Sequence, residues 1–159
     1  MRGDVIFVYK RLDTAFGGAY SVSSDGGAVT DGTFSSYFSY KHYGIDLGDG
    51  DVVHFTGDRP ENYRIIVTSK FVFAGGGRVH EDNGVKYEFS KEETASRALS
   101  MVGDDFGRYD YLTNNCEHFT SWCSAGAKKS RQSENVKNMS KAAIIIIITI
   151  LTGGRPIMF

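Results

Sequence analysis

Cys116, His42 and His54 are the side chains in this sequence that are best suited to nucleophilic catalysis. A thiolate is a far better nucleophile than a thiol, so cysteine enzymes place an imidazole base beside the sulfur and an orienting group behind the base. One cysteine downstream of two histidines meets this requirement. The residues predict a triad with Cys116 as nucleophile, and by themselves they do not rank the two histidines.

The residues before Cys116 predict that it lies at the N-terminus of a helix. Thr113, Asn114 and Asn115 are favourable N-cap residues, and Glu117 follows in what would be the first turn, where acidic residues are favoured. The free amides and the partial positive charge of such a terminus favour a thiolate. We therefore expect the pKa of Cys116 to be lowered toward neutrality.

The same helix disfavours other pairings of its cysteine and histidine side chains. His118 would point away from Cys116, so it is a poor base, and a zinc site built from Cys116, His118 and Cys123 is disfavoured. A disulfide is disfavoured because residues seven apart in a helix are separated by about 10 Å. We expect Cys123 to be a small buried core residue, and we expect no metal and no cofactor.

Residues 41–55 carry both histidines and predict a β-hairpin. Two alternating segments flank the sequence Gly48-Asp49-Gly50, which is typical of a tight turn. Because neighbouring strand residues point to opposite faces, a shift of one residue in the pairing would move one histidine to the other face. The length of the loop therefore decides whether the two imidazoles can meet.

We predict that this hairpin has a three-residue loop. A two-residue loop would place His54 opposite Ile45, on the face away from His42. A loop over residues 48–50, with its last glycine in the left-handed conformation, would place His54 opposite Gly44 and diagonal to His42. Diagonal neighbours are about 7–8 Å apart at the backbone, within reach of two ring side chains. The small Gly44 would leave room for the thiolate between the rings.

The rest of the chain predicts one α+β domain with an antiparallel sheet of about five or six strands. A length of 159 residues with 41% hydrophobic residues suits a single core. Besides the hairpin, the pattern predicts a central strand at residues 4–9, one or two strands within residues 63–73 and a short strand at residues 85–89.

Residues 90–103 predict a helix ahead of the cysteine. Ser90 and Glu93 have the spacing of a capping box, and Gly103 ends the pattern. The apolar positions recur at helical spacing, which predicts that they face the core. These positions are Ala95, Ala98, Leu99 and Val102.

The motifs that hold the three candidate residues resemble the lecithin:retinol acyltransferase-like family. The resemblance covers most of residues 1–127 apart from one insertion, and the motifs are specific when taken together. They are His42-Tyr43-Gly44-Ile45, Gly48-Asp49-Gly50, Val52-Val53-His54, Asn114-Asn115-Cys116-Glu117-His118-Phe119 and Trp122-Cys123. The opening Gly3-Asp4-Val5-Ile6 and the helix after Ser90 also resemble the family.

This resemblance implies a fold, an activity and a role for each residue. The fold would be circularly permuted papain-like, of the NlpC type, with the sheet packed on the cysteine-bearing helix. Family members are thiol acyltransferases and phospholipases, related to cell-wall amidases. Cys116 would be the nucleophile, His42 the base and His54 the group that orients His42. Tyr43 stands where the family often has a tryptophan, which affects the wall of the substrate site.

The chain is predicted to consist of a catalytic domain at residues 1–127, a basic linker at 128–141 and an apolar tail at 142–159. Within the domain, residues 13–39 are rich in small polar residues and read as an insertion or lid. The tail is too short to span a bilayer alone, which takes about 20 apolar residues. Because basic residues beside an apolar segment favour anionic lipid, we predict attachment to a membrane surface, with a buried strand or an exposed tail as alternatives.

Charge and cysteine content restrict the location and the partners. From Lys128 onward six basic residues oppose Glu134, so the tail carries +5 and the remainder −6 of a net −1. An acidic body argues against nucleic acid as a partner. Only two cysteines and no apolar N-terminal segment predict a reducing, cytoplasmic location, with membrane association through the C-terminal segment.

The predicted function is acyl transfer or hydrolysis on lipid esters, phospholipids among them, through a thioester on Cys116. One alternative keeps the triad but cleaves peptide or isopeptide bonds. Another is a non-catalytic module that uses the same fold to bind a partner or a membrane. A lipid enzyme is expected to have an apolar groove, whereas a peptidase is expected to have a more polar, open cleft.

Overall fold

A six-stranded antiparallel sheet organises the computed structural model, which describes residues 1–12, 19–21 and 39–138. The strands are β1 (Val5–Leu12), β2 (Ala19–Ser21), β3 (Ser39–Asp46), β4 (Asp51–Thr56), β5 (Arg64–Ser69) and β6 (His80–Glu81). Their order is β2-β1-β3-β4-β5, and the short β6 pairs with β1. The α+β class and the strand number are as predicted, and β3, which carries His42, lies in the middle of the sheet.

Four helices accompany the sheet in the described part of the chain. They are α1 (Lys70–Ala74), α2 (Lys91–Ser100), α3 (Cys116–Ala125) and α4 (Arg131–Lys137), with a 3-10 turn at Pro60–Asn62. The cysteine-bearing α3 packs against β3, β4 and α2. None of the described helices is long and apolar enough to cross a bilayer.

The two faces of the sheet carry separate apolar clusters, because successive side chains of a strand point to opposite faces. The cluster on the α3 side contains buried residues of β1, β3 and β4 together with α2 and α3: Val5, Phe7, Tyr43, Ile45, Val53, Phe55, Ala95, Ala98, Cys116, Phe119 and Cys123 are among them. The cluster on the other face contains Ile6, Val8, Val52 and Phe73. Both histidine rings contact Phe73, 5.4 Å from His42 and 5.2 Å from His54 between ring centroids.

The hairpin has the predicted three-residue loop. Gly44 lies opposite His54, and the amide of Leu47 donates to the carbonyl oxygen of Asp51 at 2.9 Å, which closes the loop. Gly48 and Gly50 have φ values of 81° and 100°, which a glycine adopts without the strain that other residues incur. The space beside the Cα atom of Gly44 is not available to the thiol, however. Phe73 and Val52 occupy that space, since a Cβ added at Gly44 would lie 3.0 Å and 2.6 Å from them.

One strand, Arg64–Ser69, lies within residues 63–73, as predicted, and a helix that was not predicted follows it. Lys70–Ala74 is helical because the hydroxyl of Ser69 accepts from the amide of Val72 at 3.2 Å. The predicted strand at residues 85–89 is wrong, and β6 lies at His80–Glu81 instead. The amides of Glu88 and Phe89 donate to the carbonyl oxygen of Ser124 in α3, so residues 85–89 are bonded to the end of a helix rather than to a strand.

The helix predicted ahead of the cysteine is α2, with Ser90 as its N-cap. The hydroxyl of Ser90 accepts from the amide of Glu93 at 3.1 Å, but within the described residues no bond returns from the Glu93 side chain, so half of the predicted capping box forms. Ala95 and Ala98 are buried, as expected. Leu99 is 38% and Val102 46% exposed, so these two positions do not face the core, and Val102 lies beyond the end of the helix at Ser100.

Two predicted segments lie wholly or largely outside the described residues. Of the insertion at residues 13–39, only β2 and the start of β3 are described. The apolar tail at residues 142–159 is outside the described range altogether. The segment between the domain and the tail contains α4, which begins at Arg131. Hydrogen bonds between Gln132 and Lys41, and between Gln132 and Glu117, hold α4 against the domain.

Candidate active site

Cys116 is the first residue of α3, as predicted, and Asn115 is its N-cap. The Asn115 Oδ1 atom accepts from the amides of Glu117 at 3.0 Å and His118 at 3.3 Å. In return, Nδ1 of His118 accepts from the amide of Asn115 at 3.0 Å. His118 therefore completes a capping box, a role usually taken by glutamate or glutamine, which the sequence reading missed.

The thiol of Cys116 lies against the backbone of His42. Its Sγ accepts from the amide of Tyr43 at 3.5 Å and is 4.0 Å from the carbonyl oxygen of Lys41. This approach is open because β3 pairs with β4 only from Gly44 onward. The sulfur takes the place at the β3 edge that a strand residue would otherwise fill.

Gln132 of α4 fills the rest of that edge. The Lys41 amide donates to its Oε1 at 2.9 Å, and its Nε2 donates to the Lys41 carbonyl oxygen at 3.0 Å. The amide of Gln132 itself donates to Glu117 Oε2 at 3.1 Å, next to Cys116 in α3. A side-chain amide thus satisfies the strand backbone beside the thiol, and nothing in the sequence pattern predicted it.

The two imidazoles meet on one face of the sheet, as the three-residue loop requires. His42 Nε2 is 2.8 Å from His54 Nδ1, and the rings are 5.1 Å apart at 76°. Both side chains are buried. His54 Nε2 is 2.9 Å from the Oγ1 of Thr68 on β5, a contact that the sequence reading did not anticipate.

The relation of the sulfur to the imidazoles is less direct. Cys116 packs with the cluster on the α3 side, whereas both rings contact Phe73 on the other face. In the described part of the chain no hydrogen bond joins the sulfur to either ring, and none involves His42 Nδ1. Hydrogen bonds between catalytic groups are often long before substrate binds and tighten afterwards.

Burial keeps the three groups neutral at rest. It raises the pKa of Cys116 to about 11, although the amide of Tyr43 opposes the shift. The expected lowering is therefore wrong, because desolvation outweighs the helix terminus. Burial lowers the pKa of His42 well below its usual value, with His54 and Lys10 adding to the effect, and lowers that of His54 to about 4. These shifts favour a neutral thiol and neutral imidazoles over an ion pair.

The other candidates of the sequence reading are placed as follows. Both cysteines are free, and Cys123 is fully buried in the core, as expected. Across residues 1–12, 19–21 and 39–138, no group of three or more His, Cys, Asp or Glu side chains is arranged to hold a metal ion. Neither Cys116 nor its two histidines line the cavity of about 350 Å³ beside α3, whose wall includes Tyr43 and charged groups of both signs.

Comparison with known proteins identifies relatives of this arrangement. A family model described as lecithin retinol acyltransferase matches residues 28–129, which include the cysteine and both histidines. Bovine lecithin retinol acyltransferase is 30% identical over 129 residues, 60% of this chain and 55% of its own, and the human protein is 30% identical over 122 residues, 58% and 52%. Human phospholipase A and acyltransferase 4 is 26% identical over 133 residues, 72% and 79%. The chain spans about half the length of the lecithin retinol acyltransferases that it matches.

Proposed function

The chain belongs to the lecithin retinol acyltransferase family, and on this premise we propose that it is a cysteine-dependent acyltransferase or hydrolase of lipid esters. The relatives carry the names of acyltransferases and of a phospholipase A. One observation supports the assignment most strongly: Cys116 opens a capped helix beside the strand of His42, whose ring is bonded to that of His54. Cys116 is the nucleophile, His42 the base and His54 the orienting group.

The neutral resting state determines how the first step proceeds. His42 Nδ1 takes the thiol proton as the sulfur bonds to the ester carbonyl carbon, because burial disfavours a thiolate formed in advance. The tetrahedral intermediate then breaks its bond to the alcohol oxygen, which receives the proton from His42, and a thioester remains on Cys116. Water, or an alcohol or amine acceptor, loses a proton to His42 as it attacks the thioester. The carbon–sulfur bond then breaks, the acyl group leaves on the acceptor, and His42 returns the proton to the sulfur.

The oxyanion of the tetrahedral intermediate forms at the N-terminus of α3. The amides of Glu117 and His118 already donate to the side chain of Asn115. The amide of Cys116 lies at the same terminus as the reacting sulfur, and it is the donor that we assign to the oxyanion. Removal of one preorganised oxyanion-hole donor costs about 3–4 kcal/mol of transition-state stabilisation in other acyl-transfer enzymes.

The order of the elements supports a circularly permuted papain-like fold. The histidine strands β3 and β4 precede the cysteine helix in the chain, and α3 packs on the antiparallel sheet. The substrate would be a phospholipid or another acyl lipid at a membrane surface. The basic residues of 128–141 and the apolar residues of 142–159 would hold a cytoplasmic enzyme at that surface.

Intact-protein mass measurement after incubation with phospholipid vesicles tests the proposal. The wild-type protein should gain the mass of one acyl group, and Cys116→Ala should gain none while its circular dichroism stays unchanged. Cys123→Ala is the matched control and should still be acylated, because Cys123 is fully buried in the core and does not lie at the N-terminus of α3. Turnover retained by Cys116→Ala would refute the assignment. Cleavage of peptides without acylation by lipid would favour the peptidase alternative.

A further inference from the structure

The imidazole pair continues into a third polar group, the hydroxyl of Thr68 on β5. Val52 pairs with Thr68 and His54 pairs with Ile66, so Thr68 is the diagonal neighbour of His54 on the same face of the sheet. Its Oγ1 is 2.9 Å from His54 Nε2, while His54 Nδ1 is 2.8 Å from His42 Nε2. Both ring nitrogens of His54 are thus engaged, one by His42 and the other by Thr68.

The protons in this chain can be arranged in two ways while both rings are neutral, because a neutral imidazole has one donor and one acceptor nitrogen. In the first arrangement, His42 Nε2–H donates to His54 Nδ1 and His54 Nε2–H donates to Thr68. His42 Nδ1 is then bare and can take a proton. In the second, Thr68 donates to His54 and His54 to His42, so the hydrogen of His42 is on Nδ1 and the ring cannot act as a base there.

Only the first arrangement remains once His42 has taken the thiol proton. His42 then carries hydrogen on both nitrogens, so His54 Nδ1 must accept, His54 Nε2 must carry the hydrogen, and Thr68 must accept from it. Without the hydroxyl, a buried N–H of His54 would lose its partner in the state that catalysis has to reach. The bond to Thr68 therefore supports the charged form of His42 more than the neutral form.

We infer that Thr68 is a positioning residue that holds His54 with Nδ1 facing His42, so that His42 accepts the proton of Cys116 through its Nδ1. The inference rests on the proposed function, since it assigns Thr68 to the same site. Thr68 does not touch the sulfur. It acts through two successive rings, and its side chain is half-buried near the sheet edge formed by β5.

Thr68→Val and Thr68→Ser separate the hydroxyl from the shape of the side chain. Valine keeps the branched form and a strong preference for strands, so the fold should persist. We expect Thr68→Val to lower kcat/KM for acyl release about tenfold through kcat, with KM unchanged, as the loss of one hydrogen bond in the transition state implies. Thr68→Ser should restore activity to within about twofold, since its hydroxyl can occupy the same place.

The pH dependence of kcat/KM should not change if Thr68 has only a structural role. Loss of the hydroxyl destabilises the charged form of His42. The pH below which kcat/KM falls should therefore be lower in Thr68→Val, and it should return to the wild-type value in Thr68→Ser. Nitrogen NMR of labelled histidines in the substrate-free protein should show more hydrogen on His42 Nδ1 in Thr68→Val. An unchanged rate, or a lower rate with an unchanged pH dependence and unchanged tautomers, would overturn the inference.

The NMR measurement distinguishes this inference from the proposed function. If Cys116→Ala kept its acyl turnover, the proposed function would fail, yet the tautomers of His42 and His54 would still report whether Thr68 sets them. If Cys116→Ala and His42→Ala abolished turnover while Thr68→Val had no effect, the proposed function would stand and the role of Thr68 would fail.

Discussion

Gln132 is bonded to both the amide and the carbonyl oxygen of Lys41, as a paired strand residue would be, although it belongs to α4. Lys41 precedes His42, and its carbonyl oxygen is 4.0 Å from the sulfur of Cys116. The geometry of the β3 edge at Cys116 therefore depends on a side chain from a separate helix.

Gln132→Ala should weaken both stability and catalysis. Two backbone groups of a half-buried strand residue would lose their partners, at a cost of about 1–3 kcal/mol. We expect a lower midpoint in urea and a lower kcat, because the strand beside the sulfur is no longer held. Asn135→Ala, on the exposed side of α4, is the control and should change neither quantity. Equal behaviour of the two variants would mean that Gln132 does not support the site.

The neutral resting state predicts an unusual dependence of activity on pH. The active form contains the thiol and a neutral His42, so kcat/KM should be flat from about pH 6.5 to about pH 10. The pKa of His42 lies below its usual value of 6.5, and that of Cys116 is raised to about 11. Activity should fall only where His42 becomes protonated on the acid side. A change in kcat/KM near pH 8.5, the ordinary pKa of a cysteine thiol being about 8.5, would contradict the prediction.

Alkylation of Cys116 by iodoacetamide checks the same point without substrate. At pH 7 the reaction should be slower than that of a free cysteine, since the thiolate fraction is smaller. The rate should rise about tenfold per pH unit up to about pH 11. Slow alkylation would be compatible with efficient acyl transfer, because in the proposed mechanism His42 removes the proton only as the acyl carbonyl is attacked.

The buried imidazoles should make the fold sensitive to mild acid. The pKa of His54 is about 4 in the folded protein, against about 6.5 unfolded, so the unfolded chain binds more protons below pH 6.5. Stability is therefore fully present above pH 6.5 and falls as the pH is lowered, by about 3 kcal/mol at pH 4. Urea unfolding followed by fluorescence of the single tryptophan, Trp122, measures this slope.

His54→Gln supplies the comparison, because glutamine does not titrate. Its free energy of unfolding should fall less steeply between pH 6.5 and pH 4 than that of the wild-type protein, whatever its absolute value. Parallel slopes for the two proteins would show that His54 is not the group responsible.

Gly44→Ala should disturb the imidazole pair by displacing the Phe73 side chain that packs against both rings. The new Cβ would lie 2.6 Å from Val52 Cγ1 and 3.0 Å from Phe73 Cε2, so Phe73 must shift away from the rings that it contacts. We expect a loss of about 1–3 kcal/mol in stability and a lower kcat. Gly44→Ala/Val52→Ala removes the closest clash and should recover part of both losses. Thermal unfolding and vesicle turnover measure them, and a double variant no better than the single one would locate the clash elsewhere.

Local patterns predicted the parts of the site that depend on local physics. Gly48 and Gly50 indicated the loop length, and with it the shared face of His42 and His54, because strand alternation leaves only two choices. Asn115 indicated the helix start, because a side-chain oxygen is needed there. The five-residue α1 escaped prediction, since its apolar run fits a strand equally well and only the Ser69 cap decides.

The parts that were not predicted depend on distant segments. Thr68 and Gln132 reach the site through strand pairing and helix packing, which a residue pattern does not encode. The pKa of Cys116 was predicted in the wrong direction for the same reason. A helix start can be read from neighbouring residues, but the burial that opposes it comes from the whole fold.

Because α4 supplies two hydrogen bonds to the strand of His42, a catalytic unit cut after residue 127 would be incomplete. Such a shortened chain would keep every residue of the proposed triad and still lose the group that closes the β3 edge beside the sulfur. The helix α4, which precedes the apolar tail in the chain, therefore belongs to the structural unit that contains Cys116 and His42.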